Sequence, residues 1–320
     1  MSRLASRSGA LIRCGARPAG PLEGMEPVGP SGLGHEDDDI GEAMIGRIPA
    51  RTAKLAASLT AACAVLAVTA GASSAATVVY NNLPKPLPGN VQSLGFQATS
   101  AAEFGGQIQT VGSASNPTIT VGMSSWACQS GSATDGSCST TPGATFNVPI
   151  TLNVYSVGSG ESVGAKLVTV TQNFAVPYRP SADSTNCAGN GGWFKKGKAG
   201  GCFHGELFKI KFAKLGSKKA PVTLPEKVIV GVAFNTFTHG YAPTGVEGPY
   251  DSLNVALTEP LNEGEEVKPS VGSDPAPSDA YYNTTFGGFY CDNGAGGTGT
   301  FRLDAGCWTG EQPLIEVKSS

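Results

Sequence analysis

The six cysteines after residue 76 fall into three pairs of close neighbours, and this spacing limits the folds available to the chain. The pairs are Cys128 with Cys138, Cys187 with Cys202, and Cys291 with Cys307. Each pair encloses a Gly/Ser-rich segment that would otherwise be a flexible loop. A local disulfide would close this loop and restrict its conformations. Zinc is disfavoured because no pair has the Cys-x-x-Cys spacing. We therefore predict three disulfides between sequence neighbours.

An export signal beginning at Met44 supplies the oxidising surroundings that such disulfides need. A short basic stretch follows Met44, then an apolar run over residues 55–70 and small side chains up to Ala76. This order is typical of a secretory signal peptide over 44–76. The apolar run falls short of the ~20 residues that span a bilayer. We interpret 1–43 as a disordered, over-extended start, with Met1 as the alternative initiation site, and expect a secreted mature chain.

The mature chain is predicted to be a single β-sandwich domain over 77–320, a length that such folds often reach undivided. It carries 15 Lys and Arg against 18 Asp and Glu. A mildly acidic balance gives no reason to expect binding to nucleic acid. Residues 77–320 contain no apolar run comparable to that of the export signal, so we expect no transmembrane segment there.

Short segments rich in Val, Ile, Thr and Phe recur between Gly, Pro, Asn and Ser clusters, a pattern that indicates antiparallel strands. Residues 148–155 alternate apolar and polar side chains, and 227–237 has apolar residues on both faces, as a doubly buried strand would. The other candidate strands are 77–80, 94–98, 107–111, 118–123, 166–178, 208–212, 253–257, 280–283, 299–303 and 314–317. About a dozen strands predict an all-β fold, a jelly-roll-like antiparallel β-sandwich with long disulfide-stapled loops.

Aromatic residues in long loops are the candidate ligand-binding groups, because flat rings stack on the apolar faces of sugars. Trp193 and Trp308 lie beside cysteine pairs in Gly-rich surroundings, and Tyr241 and Tyr250 lie in a further loop. The alternative is that such rings cover the core beneath the loops.

Enzyme signatures are absent: there is no His-Glu-x-x-His motif and no Gly-x-Ser-x-Gly elbow. A carboxylate pair for glycoside hydrolysis could be drawn from Glu206, Glu226, Glu247 and Asp251, but their spacing singles out no pair. The alternative is that these acids are ordinary solvent-exposed surface residues.

The one cofactor that the sequence suggests is a structural calcium ion bound by side-chain oxygen atoms. The candidate ligands are Asp251, Asp274, Asp279, Asp292 and Asn293. They form no EF-hand or repeat-type calcium pattern.

Eight lysines and a single acid occupy residues 195–219. A basic face there would attract anionic wall polymers or acidic glycans through a salt-sensitive field. Alternatively, Lys209 and Lys211 are outward positions of an edge strand, where lysine discourages pairing with other chains.

Several strings resemble a known class of exported protein. They are Val79-Tyr80-Asn81-Asn82-Leu83, Ser93-Leu94-Gly95-Phe96, Glu103-Phe104-Gly105-Gly106-Gln107, Pro249-Tyr250-Asp251-Ser252-Leu253-Asn254-Val255 and Gly299-Thr300-Phe301-Arg302-Leu303. Over 77–317 the chain resembles uncharacterised exported β-sandwich proteins of high-GC Gram-positive and soil bacteria, and more distantly the choice-of-anchor domains of surface proteins. The resemblance implies export and a sandwich of cell-surface type, and it brings no catalytic residue with it.

The sequence thus favours a secreted, non-catalytic extracellular or cell-surface module that binds glycan or cell-wall polymer. A glycoside hydrolase or lyase on a jelly-roll scaffold is one alternative, and would require two carboxylates converging in a cleft. A structural protein of the envelope or matrix is the other.

Overall fold

Alternating apolar residues build two six-stranded antiparallel sheets, here named sheet A and sheet B. The computed structural model describes residues 76–133, 135–189, 191–213, 215–234, 253–259 and 267–320. Sheet A contains, in spatial order, β1 (Thr77–Asn81), β16 (Ile315–Ser319), β5 (Thr118–Ser125), β13 (Leu253–Ala256) and β2 (Ser93–Gly95), with β10 (Glu206–Phe212) paired to β5. Sheet B contains β15 (Arg302–Ala305), β14 (Asp279–Thr284), β3 (Ala101–Gln109), β12 (Lys227–Ala233), β6 (Thr145–Val157) and β7 (Val163–Pro177).

Two small ribbons and two single turns complete the described elements. The ribbons are β4 (Ala114–Ser115) with β11 (Thr223–Leu224), and β8 (Trp193–Lys195) with β9 (Gly201–Phe203). The turns are 3₁₀ helices at Ser159–Glu161 and Gly287–Phe289.

One apolar cluster fills the space between the two sheets. Sheet A contributes Ile119, Val121 and Met123 from one face of β5, and sheet B contributes Phe104, Leu152 and Val230. Because side chains alternate along a strand, each sheet turns a single face into this cluster. The predicted all-β antiparallel sandwich is confirmed.

The outer faces of both sheets are partly covered. Leu83 and Val91 pack against Leu207, Ala256 and Leu314 on sheet A. On sheet B, a separate cluster joins Tyr155, Ile229 and Tyr281 to the partly buried Phe301 and Leu303. The predicted double burial of β12 is therefore confirmed, since Val230 faces the core and Ile229 faces this outer cluster.

Candidate functional site

The three predicted disulfides are present with the predicted pairing. Cys128–Cys138, Cys187–Cys202 and Cys291–Cys307 each hold their Cα atoms 5.5 to 5.6 Å apart. The first two disulfides close two loops that lie next to each other. The third joins Cys291, in the segment between β14 and β15, to Cys307, just after β15, so the loop it closes contains β15.

Arg179 ties the first two stapled loops together from the interior. Its side chain is completely buried, and it donates to the carbonyl oxygens of Ala133 at 3.1 Å, Gly191 at 2.8 Å and Pro180 at 3.0 Å. Desolvation lowers the pKa of the guanidinium to about 10, so the group stays charged at neutral pH. Each carbonyl anchors a different stretch of backbone, and together they fix the geometry of both loops.

A cavity of about 420 Å³ opens between these loops. Its lining is Asp135, Gly136, Ala182, Ser184, Cys187, Gly189, Gly191 and Gly192. The volume is within the range of small-ligand sites, but the walls offer mostly backbone and only two polar side chains. It lacks the aromatic surface that sugar stacking requires.

Trp193, the first aromatic candidate, lies beneath the stapled loops. Its side chain is 7% exposed, its indole N–H donates to the Gly205 carbonyl at 2.7 Å, and its ring centroid lies 5.7 Å from that of Phe203. The indole N–H is satisfied and the ring face is covered. This geometry matches the alternative interpretation from the sequence, in which the ring covers the core beneath the loops.

Trp308, beside the third disulfide, is buried in the same way as Trp193. It is 8% exposed, and its ring centroid lies 5.2 Å from that of Phe104 and 5.5 Å from that of Tyr282. The indole N–H donates to Asp304 Oδ2 at 2.8 Å. Burial raises the pKa of Asp304, and the bond from Trp308 opposes that rise. Tyr241 and Tyr250 lie outside the described residues.

The outer face of sheet B holds a carboxylate that sequence reasoning missed as a site residue. Glu103 of β3 is only 7% exposed. Its Oε1 accepts from Asn153 Nδ2 at 2.9 Å and from the Tyr155 hydroxyl at 3.0 Å, while Thr169 donates to Asn153 Oδ1 at 2.7 Å. Burial raises the pKa of the Glu103 carboxyl, and the two donors act against that rise.

An aromatic ring lies beside this carboxylate. The Phe301 ring centroid is 5.2 Å from that of Tyr155 and 6.1 Å from that of Tyr281, and Phe301 remains partly exposed. Glycine at position 231 makes the arrangement possible, because a Cβ there would overlap Glu103 Oε1 and press on Phe301. On the next strand, the partly exposed Asn283 is the register partner of Glu103. We call Glu103, Asn153, Tyr155, Asn283 and Phe301 the sheet-face site.

The structure does not bring together the two acids considered for hydrolysis that lie within the described residues, Glu206 and Glu226. Glu206 begins β10 in sheet A, whereas Glu226 precedes β12 in sheet B and accepts from Gln109 at 3.5 Å. Glu247 and Asp251 lie outside the described residues.

A different pair of carboxyl groups, Glu259 and Glu311, forms a hydrogen bond. Burial is the main cause that raises the pKa of Glu311 to about 7, and the charge of Glu259 and this hydrogen bond contribute to the rise.

Three of the five candidate calcium ligands accept hydrogen bonds from the chain itself, and Asp251 lies outside the described residues. Asp292 accepts from Arg302 at 2.8 Å and from the amides of Gly294 and Gly296. Asp274 and Asp279 accept the backbone N–H groups of Ala276 and Gly306. The side chain of Asn293 does not enter these contacts; its backbone adopts a left-handed φ of 55°.

A separate group of metal-type ligands lies at the third disulfide. Within the described ranges, the one group whose ligand atoms lie within 4.8 Å of one another is Cys291, Asp304 and Cys307. Its two sulfurs are already joined in a disulfide.

The lysine-rich segment divides into different environments. Lys195 Nζ donates to the carbonyls of Leu87 and Pro88, whereas Lys209 and Lys211 are exposed on β10. Among the described strands β10 pairs only with β5, and beyond that pairing Leu207 N–H donates to the Gly89 carbonyl at 2.8 Å, so Lys209 and Lys211 lie on an edge strand. The edge-strand interpretation of Lys209 and Lys211 is confirmed.

Three cystines are consistent with folding in an oxidising compartment. Across the described ranges, no helix has the length and apolar character needed to cross a bilayer. Comparisons with protein-family models, curated proteins and solved structures found no match.

Proposed function

We propose that the protein is exported and acts outside the cell as a non-catalytic module that binds glycan chains across the outer face of sheet B. The observation that carries the proposal is the sheet-face site, where the partly exposed Phe301 ring adjoins the Glu103 carboxylate. A sugar offers an apolar face to an aromatic ring and hydroxyl donors to a carboxylate. The export signal and the resemblance to cell-surface sandwiches support the extracellular role.

The site is organised before any ligand arrives. Asn153 and Tyr155 orient Glu103 through Oε1, while Oε2 has a single longer contact, 3.2 Å from the Tyr155 hydroxyl. Oε2 therefore has spare acceptor capacity, which a ligand donor would reach through the small exposed fraction of Glu103. Because the strands of sheet B hold these groups in place, little side-chain entropy is lost on binding.

The hydrolase alternative has one observation in its favour, the Glu259–Glu311 pair. A group with a pKa of about 7 can exchange protons near neutral pH. Glycosidases, however, hold their two carboxyl groups about 5 Å or more apart, so that the scissile bond fits between them. Carboxyl groups that hydrogen-bond to each other leave no such gap, so Glu259 and Glu311 lack the separation of a glycosidase pair.

A polymer-binding screen tests the proposal. The full chain, with its disulfides intact, is applied to an array of neutral and acidic glycans and cell-wall polymers at low and high salt. We expect binding to a neutral glycan that persists at high salt, since stacking and hydrogen bonding are screened little. Binding that disappears at high salt would assign recognition to the lysines instead. Absence of binding would contradict the glycan proposal and favour a structural role, whereas release of shortened products would favour the hydrolase.

A further inference from the structure

Among the described strands, β7 forms one long edge of sheet B. It is hydrogen-bonded to β6 on one side, with uninterrupted register from Val168 opposite Val154 to Pro177 opposite Thr145. Across the ranges that the structure describes, no backbone partner lies on the other side of 168–177. A strand edge of this kind presents a row of N–H and C=O groups to any other extended chain.

The features that normally protect an edge are confined to the two ends of β7: charge and register irregularities at its start, and Pro177 as its last residue. The register irregularities and Lys166 lie before Val168. From Leu167 to Pro177 the strand carries no charge, and Leu167 is 40% exposed. Strand β10, an edge of sheet A, carries Lys209 and Lys211. Since exposed edges favour association unless charge or irregularity prevents it, the bare half of β7 indicates a surface that is covered in use.

The edge is also rigid. Phe174 of β7 meets Phe212 of β10 edge-to-face, with ring centroids 5.0 Å apart. Val168 and Val176 are buried in the core. These contacts hold the strand in its extended form, so a partner strand meets a prepared template and loses little free energy to ordering.

We propose that two copies of this chain associate through their β7 edges, antiparallel about a two-fold axis, and join their sheets B into one continuous sheet. The uncharged run meets a copy of itself without repulsion. The opposite edge of sheet B, β15, has four residues and carries Arg302, so pairing through β7 ends at two copies. The dimer would place two sheet-face sites on one surface, which would raise the avidity for a repeating polymer.

Sedimentation of the full chain over a range of concentrations tests the proposal. We expect a monomer–dimer equilibrium that shifts to monomer in Asn173→Lys/Ala175→Lys, because both positions are exposed on the edge strand and like charges would oppose one another across the new pairing. The control is Thr145→Lys/Asn147→Lys, which adds the same charge at exposed positions of β6, one strand inward. The control should keep the dimer.

Hydrogen exchange of the wild-type chain provides a second readout that needs no variant. We expect the amides of 168–177 to gain protection as protein concentration rises. A monomer at every concentration, a dimer indifferent to the β7 charges, open-ended assemblies, or β7 protection that requires a different protein would each overturn the proposal.

Discussion

At the scale of single residues, Arg179 shows how a loop surface is fixed from beneath. Among the described residues no carboxylate pairs with it, and three backbone carbonyls receive its N–H groups instead. Hydrogen bonds from a charged donor contribute about 1.5–3 kcal/mol each, and the three bonds offset part of the cost of burying the charge. The stapled loops therefore depend on this side chain as well as on their disulfides.

Replacing this side chain should destabilise the fold. We expect Arg179→Met to lower the free energy of unfolding by about 2 kcal/mol, because the carbonyls of Ala133, Gly191 and Pro180 lose their donor. Urea denaturation measures the loss, and Lys196→Met, an exposed cation in the same loop, is the control. Equal stability of the Arg179 variant and the wild type would contradict this role.

Sequence alone predicts some residues of the sites and misses others for physical reasons. The disulfides followed from spacing, because close pairs can be joined locally. The burial of Trp193 and Trp308 could not be foreseen, since their covering partners, such as Phe104 for Trp308, are distant in the sequence. Glu103 gave no signal because its donors lie on β6, and the pairing of β3 and β6 with β12 places them together.

At the scale of elements, most strands follow from alternating apolar residues, and the exceptions have identifiable causes. Strand β3 begins at Ala101, well before the predicted 107–111, because Gly105 and Gly106 hide its first half from a pattern based on bulky side chains. The β8–β9 ribbon has only three residues in each strand and is held by its loop. Such short strands carry too little periodicity to predict.

Strand β12 supplies a test of the sheet-face site. Gly231→Ala would place a methyl group against Glu103 Oε1 and Phe301, so we expect Glu103 to be displaced and stability to fall by about 1–3 kcal/mol, as in an overpacked site. Glycan affinity should fall with it. Gly288→Ala is the control, because its nearest neighbour is the exposed side chain of Phe286, which can move aside. Similar losses in the two variants would argue against a special role for Gly231.

At the scale of the whole molecule, buried carboxyl groups should make stability depend on pH. Burial raises the pKa of Glu311 from 4.5 to about 7, so the folded chain retains a proton that the unfolded chain releases. Stability from this group is fully present below pH 4.5, falls as the pH rises, and stays low above about pH 7. Burial also raises the pKa of Glu103, Glu206 and Asp304, so these groups act in the same direction.

Thermal unfolding between pH 4.5 and pH 8 measures this dependence. We expect the Tm to fall across the interval and the fall to be smaller in Glu311→Gln, which cannot ionise. Glu226→Gln, which replaces an exposed acid by the same amide, is the matched control. A Tm that rises with pH, or an equal slope in Glu311→Gln and the wild type, would contradict the assignment.

The central claim is that a glycan binds at Phe301 and Glu103. Its most direct test is calorimetric titration of the best array ligand into wild type, Phe301→Ala, Glu103→Gln and the control Phe286→Ala, whose ring is 59% exposed on a separate loop. The account predicts about a tenfold loss of affinity in each of the first two variants, equivalent to about 1.4 kcal/mol, and no change in the control. Unchanged affinity in Phe301→Ala, or an equal loss in Phe286→Ala, would contradict it.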